Sequence, residues 1–259
     1  MLSSCAVIAW LNLSNDGHDA ETGVDAKGAK PESVVNLFGG ARTVLVVAYS
    51  LLALGLVGLM SVAARAGDAR VAAFLILAVA CGYVYQCPPF RLSYKGLGEP
   101  LCFAAFGPLA TTAFYYAAAA GDAPVLILPQ VTAAAAVAAC LVGATTTAIL
   151  LTSHFHQIEG DARAGKRSPV VRLGTRRAAD ALTAGVLLAH ALAAAACATG
   201  AAPLAVGLAA LAASPLAMRL VAFVRHYHAR PDVVFRAKFL AVRWHVALGA
   251  ALTAALAIA

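Results

Sequence analysis

Charge-free apolar runs, each at least as long as a bilayer is thick, recur along this chain and limit what it can fold into. They occupy 43–64, 71–90, 101–121, 123–153, 181–218 and 239–259, the last interrupted only by Arg243. A helix crosses the hydrocarbon layer with about 20 apolar residues. The run at 181–218 is too long for one crossing and is broken by Gly200 and Pro203, so it supplies two. Seven complete spans follow. The chain is 62% hydrophobic and 12% charged, against roughly 45–50% and about 25% in soluble domains. That excludes an ordinary water-soluble enzyme, a disordered chain and a nucleic-acid-binding module. The expected fold is an all-α, polytopic membrane helix bundle.

The N-terminal 13 residues are apolar but too short to cross, and the polar run at 12–25 is expected to end them. No cationic stretch and small-residue cleavage site precede them, which argues against a signal peptide. The segment reads as the second half of a helix whose first half is missing. On this reading 1–259 is one transmembrane domain, truncated at its N-terminus.

Charge placement gives the orientation. The net charge of +7 comes from 19 basic residues. All but Arg65, Arg70 and Arg243 fall on one side when the spans alternate, in the segments 12–42, 86–100, 154–177 and 219–238. Topology therefore explains the basic excess without a nucleic-acid partner, and the decorated face is cytoplasmic or its equivalent, such as a stroma. The same segments hold Asp16, Asp19, Glu21, Asp25, Glu159 and Asp161. Acids gathered at one face argue against a transporter, which places ionisable groups near the bilayer midplane. Six cysteines make no C-x-x-C pair and read as small buried residues.

Two constellations carry chemistry. In Asn12-Leu-Ser-Asn15-Asp16-Gly-His18-Asp19, a helical advance of about 100° per residue puts Asn12, Asp16 and Asp19 within about 60° of one another. Like charges crowded on one face are unfavourable without a cation, and oxygen donors suit Mg²⁺, which takes one or two carboxylates and completes its shell with water and phosphate. The second is His154-Phe-His156-Gln157-Ile-Glu159-Gly-Asp161, followed by Arg163, Lys166 and Arg167. Gln157 and Asp161 share a face with His154 one turn behind, and Glu159 points away on a regular helix. A second metal here would draw on Asp161 with help from Glu159 or the substrate. A third segment, 83–100, contains Tyr85, Pro88, Pro89, Arg91, Tyr94 and Lys95, with Gly96 and Gly98 allowing tight turns. Acid clusters for Mg²⁺, cations for phosphate and a lipid-facing bundle behind them suit an amphiphile with a diphosphate head.

The combination Asn12-x-x-Asn15-Asp16-x-x-Asp19, Gln157-x-x-x-Asp161-x-x-x-Gly165-Lys166 and Pro88-Pro-x-Arg-x-x-Tyr94-Lys-Gly-x-Gly-Glu99 resembles the UbiA superfamily of membrane prenyltransferases. The resemblance implies a helix bundle around a central cavity and a Mg²⁺-dependent enzyme. It implies Asn12, Asp16 and Asp19 on Mg²⁺ and the diphosphate, Asp161 with Gln157 or Glu159 opposite, and Asn15, Arg91, Lys95, Lys166 and His154 at the substrate. Tyr85 or Tyr94 would steady a carbocation. Segments 85–103, 154–159 and 168–174 are similar to the photosynthetic branch of the family. That branch implies transfer of a phytyl or other prenyl chain from its diphosphate to 1,4-dihydroxy-2-naphthoate with decarboxylation, toward phylloquinone or menaquinone. It also implies a plastid (thylakoid or envelope) or cyanobacterial membrane. Alternatives are another aromatic acceptor (homogentisate, 4-hydroxybenzoate or chlorophyllide) or an inactive truncated paralogue.

Overall fold

A computed structural model describes residues 1–22, 33–38, 40–120 and 130–258. Asp25, Lys27, Lys30, Asp122 and the start of the apolar run at 123–153 lie outside the described residues. The helices are α1 (Leu2–Thr22), α2 (Val34–Phe38), α3 (Ala41–Ala66), α4 (Ala69–Gln86), α5 (Gly98–Ala104), α6 (Thr112–Ala119), α7 (Ala133–Arg163), α8 (Pro169–Ala198), α9 (Leu204–Tyr227), α10 (Pro231–Val234) and α11 (Ala237–Ala257). Among the described residues there is no strand. A π-helical stretch, Ala105–Thr111, joins α5 to α6 into one continuous rod over Gly98–Ala119.

Seven of these helical stretches are long and apolar enough to cross a membrane, matching the seven expected spans. Their outer faces carry Leu54, Val57, Leu187, Leu188, Leu204 and Leu211, all largely exposed. With the backbone satisfied inside each helix, that apolar exterior suits lipid contact. The expected break between the fifth and sixth spans is present: Gly200 takes a left-handed φ of 73° after α8, and Pro203 caps α9.

The polar run ends the apolar stretch but not the helix: α1 continues into it as far as Thr22, as the helical spacing of Asn12, Asp16 and Asp19 expects. Asn12, Asn15, Asp16 and Asp19 thus ride on the last turns of a helix anchored by Val7 and the fully enclosed Trp10. Likewise α7 runs ten residues past Ser153 to Arg163, carrying the whole second constellation on one helix.

The core divides in two. Trp10 packs with Ala48 and Leu59 of α3, Val71 and Leu75 of α4 and Tyr116 of α6. A second cluster joins Leu141 and Phe155 of α7 with Leu182 of α8, Leu220 of α9 and Trp244 of α11. The π stretch crosses α7 closely between these groups. A Cβ on Gly107 would stand 2.7 Å from the carbonyl oxygen of Ala139 and 2.9 Å from Gly143 Cα. Small residues permit such approach between membrane helices. Gly107→Leu should therefore destabilise the detergent-solubilised protein by about 1–3 kcal/mol in denaturant unfolding. Gly185→Leu, with nothing within 4 Å of its Cβ position, should leave the midpoint unchanged.

Candidate active site

The two constellations meet because of how α7 ends. Gly165 adopts φ 74°, its N–H donates to Ala162 O (3.1 Å), and Lys166 N–H donates to Asp161 O (2.8 Å). This pair of reversed bonds closes a helix C-terminus around a glycine, and it folds Lys166 back toward Asp161. The Lys166 ammonium is buried, 3.4 Å from Asp19 Oδ2 and 3.8 Å from Asp161 Oδ1. One cation from the second constellation thus bridges a carboxylate of each.

The 87–97 loop closes over this junction. It leaves α4 before Pro88, turns at Arg91 (φ 42°) and forms a 3₁₀ turn, Leu92–Lys95. Tyr94 donates its hydroxyl to Asp19 Oδ1 at 2.7 Å, and Thr22 Oγ1 lies 2.6 Å from the same hydroxyl. Burial, and then the charge of Asp19, push the Tyr94 phenol above its ordinary range, so it remains a neutral donor. Arg167 N–H donates to Tyr94 O at 2.9 Å. Gly96 is required at the turn: its φ is 78°, and a Cβ would stand 2.7 Å from Arg167 O.

A cavity of about 380 Å³ opens beside the junction. Its polar wall is Asn12, Asn15, Asp16, Gln157, His154 and Lys166, with Tyr85 and Gln86 of α4. Its apolar wall includes Ile8, Leu11, Ala78, Leu101, Ala105, Phe106 and Leu150. A smaller apolar cavity of about 110 Å³ adjoins it, sharing Ile8, Leu11, Ala78, Ala105 and Phe106. The π stretch contributes to both walls, in keeping with the use of π bulges to reshape helices at functional sites.

Most expected site residues converge here, and some do not. Asn12, Asn15, Asp16, Tyr85, His154, Gln157 and Lys166 line the cavity, while Asp19, Tyr94 and Asp161 form the enclosed layer around Lys166. Asp16 Oδ2 also accepts the N–H of Val34 at 2.9 Å. Glu159 is exposed on the far side of α7, so the structure does not bring it to the cluster, and Lys95 is exposed as well. Arg91 pairs with Glu21 at 3.0 Å rather than lining the cavity. Two pairs have no signature in the spacing: Gln86, which donates to Ser14, and Glu99, whose Oε1 lies 3.0 Å from His154 Nδ1. The role of Gly165 in aiming Lys166 was legible from helix-capping rules.

Both carboxylate oxygens of Asp161 are buried without a hydrogen bond, as is Asn15 Oδ1. Two carboxylates facing one ammonium leave a net negative charge in an enclosed place. Among the described residues, no three His, Cys, Asp or Glu side chains form a complete metal cage. Donors of this kind fit an ion that takes one or two carboxylates and fills its shell with water and phosphate, as Mg²⁺ does.

The fold and site define a membrane-embedded α-helical bundle with a cavity that is polar and charged on one wall and apolar on the other. The chain belongs to the UbiA prenyltransferase family, whose profile matches residues 1–257. It is 45% identical over its full length to a "2-carboxy-1,4-naphthoquinone phytyltransferase, chloroplastic" of Arabidopsis thaliana, covering 67% of that protein. It is 41% identical over 95% of its length to a "2-carboxy-1,4-naphthoquinone phytyltransferase" of Synechocystis, covering 76% of that protein. No solved structure matches the chain. The protein is a prenyltransferase of the membrane-embedded kind.

Removing the bridging cation should expose its importance. Lys166→Met leaves two buried carboxylates facing each other, and loss of one partner of a buried pair costs about 3 kcal/mol or more. Thermal unfolding in detergent should shift down accordingly, and millimolar Mg²⁺ should recover more of the shift in this variant than it adds to the wild type.

Proposed function

We propose that the protein transfers a phytyl or other prenyl chain from its diphosphate to 1,4-dihydroxy-2-naphthoate, with loss of the carboxylate, in phylloquinone or menaquinone biosynthesis. The observation that carries this reading is the polarity of the cavity. Its mouth holds Asn12, Asn15, Asp16, Gln157 and Lys166, while its depth and the adjoining apolar cavity are lined by aliphatic side chains and Phe106. A diphosphate fits the first and an isoprenoid tail the second.

Reaction requires the allylic C–O bond to break, its electron pair leaving with the diphosphate, and an electron-rich ring carbon to capture the allylic cation. Lys166 stabilises the departing charge by a charge-assisted hydrogen bond, and Tyr85, on the cavity wall, offers its ring face to the cation. Bound at Asp16, Asp161 and the Asn12 and Asn15 amides, Mg²⁺ would supply further charge neutralisation to the diphosphate. Tyr94 and Asp19 hold Lys166 in place.

Both relatives are named for a naphthoquinone. A quinone ring is electron-poor and does not capture a cation, whereas the dihydroxy form of the same skeleton does. The reduced acceptor is therefore the one consistent with this chemistry. The same resemblance supports a plastid or cyanobacterial membrane with the motif loops facing stroma or cytoplasm.

Membranes containing the chain, given phytyl diphosphate, Mg²⁺ and a mixture of dihydroxynaphthoate, homogentisate and 4-hydroxybenzoate, should yield a phytylated, decarboxylated naphthoquinol by mass spectrometry. EDTA, Asp16→Ala and Asp161→Ala should each abolish it. A product on another acceptor would retain the mechanism and replace the substrate; a folded protein giving no product would favour an inactive paralogue.

A further inference from the structure

Capture of the cation by the ring needs one more group, which the diphosphate machinery does not supply. A dihydroxynaphthoate ring becomes strongly nucleophilic as its phenolic O–H gives up a proton, so a base must face the cavity. We infer that His154, held by Glu99, is that base, an inference that rests on the acceptor chemistry proposed above.

The argument starts from hydrogen-bond capacity. Glu99 begins α5, in the first turn where a helix favours negative charge. Its Oε1 lies 3.0 Å from His154 Nδ1, and both side chains are largely enclosed. A carboxylate only accepts, so the hydrogen of that bond sits on Nδ1, and the neutral ring presents a lone pair at Nε2. His154 lines the cavity beside Leu150, Ser153 and Gln157. Carboxylate–imidazole pairing of this kind fixes the tautomer and orientation of the ring and stabilises the imidazolium that forms when a proton arrives. The two charged side chains on the wall are committed. Lys166 is already a cation between Asp19 and Asp161, and Asp16 accepts from Val34 at the diphosphate end.

The step balances without a further reactant. Nε2 takes the phenolic proton from the hydroxyl beside the carboxylate-bearing carbon, and the oxygen becomes a ketone as that carbon bonds to the allylic carbon. The allylic C–O pair has left with the diphosphate. The resulting β-keto carboxylate loses CO₂, its C–C pair returning to the ring as an enolate. The proton on Nε2 then goes back to that oxygen and restores the phenol. Glu99 touches only the imidazole and is a positioning residue.

The test uses the full chain in detergent micelles, with phytyl diphosphate and two acceptors, 1,4-dihydroxy-2-naphthoate and a ring-chlorinated analogue with a more acidic phenol. General-base catalysis contributes about 100-fold or more. His154→Ala should lower kcat by about 100-fold with the parent acceptor and by about tenfold or less with the analogue, and added imidazole should restore part of the loss. His154→Gln keeps a donor for Glu99 but has no basic nitrogen, so it should show the same pattern and guards against misfolding of the alanine variant. Glu99→Gln should lower kcat by about tenfold, with the acceptor KM changed less than threefold. Equal losses on both acceptors, no imidazole rescue, or near-wild-type turnover in His154→Gln would overturn the assignment while leaving the proposed reaction standing. Failure of the wild type to phytylate dihydroxynaphthoate would overturn both.

Discussion

The buried ammonium of Lys166 is the interaction on which the site depends. It reaches Asp19, on a helix packed in the N-terminal core cluster, and Asp161, on the long helix of the C-terminal one. Charges are expensive to bury alone. This one is tolerated because two carboxylates face it and Tyr94 donates to the first of them. The same arrangement explains the surrounding backbone. Gly165 reverses the chain so that Lys166 points back into the bundle, and Gly96 lets the 87–97 loop lie against the residue that follows it. Two carboxylates against one ammonium leave a negative balance suited to a divalent cation arriving with a diphosphate.

Much of this architecture is legible in the sequence because the bilayer imposes length and polarity together. Six apolar runs, one of them long enough for two crossings, become seven helical stretches, and Gly200 and Pro203 separate the two that share a run. Apolar length alone does not mark where a helix ends. Polarity at 12–22 and 154–163 closes each apolar stretch, yet both helices continue, as the helical spacing of the two constellations expects. The π stretch has a local mark, Pro108, which lacks the N–H for a regular helical bond, and it lies where the rod crosses α7 at Gly107 and Gly143 and lines the cavity with Ala105 and Phe106.

Of the site, helical periodicity places Asn12, Asp16 and Asp19 on one face, and Gln157 with Asp161 on another, and it turns Glu159 outward as the structure does. What periodicity misses is pairing across the fold. Glu99 and His154 are 55 residues apart, and Gln86 and Ser14 are 72 apart; no spacing rule links them. Basic residues are hard to sort for the opposite reason. Topology alone demands many of them on this face, and Arg91, paired with Glu21, and the exposed Lys95 lie outside the cavity lining.

The most direct test of the shared bridge is a double-mutant cycle on unfolding free energy, combining Asp19→Asn with Asp161→Asn in metal-free detergent solution. Residues that share a partner couple by about 0.5 kcal/mol or more, whereas independent sites add. If Lys166 serves both carboxylates, the second substitution should cost markedly more than the first, because it strands the ammonium without a counter-charge. Additive effects within error would show that the two halves are not joined through Lys166 and would contradict the account.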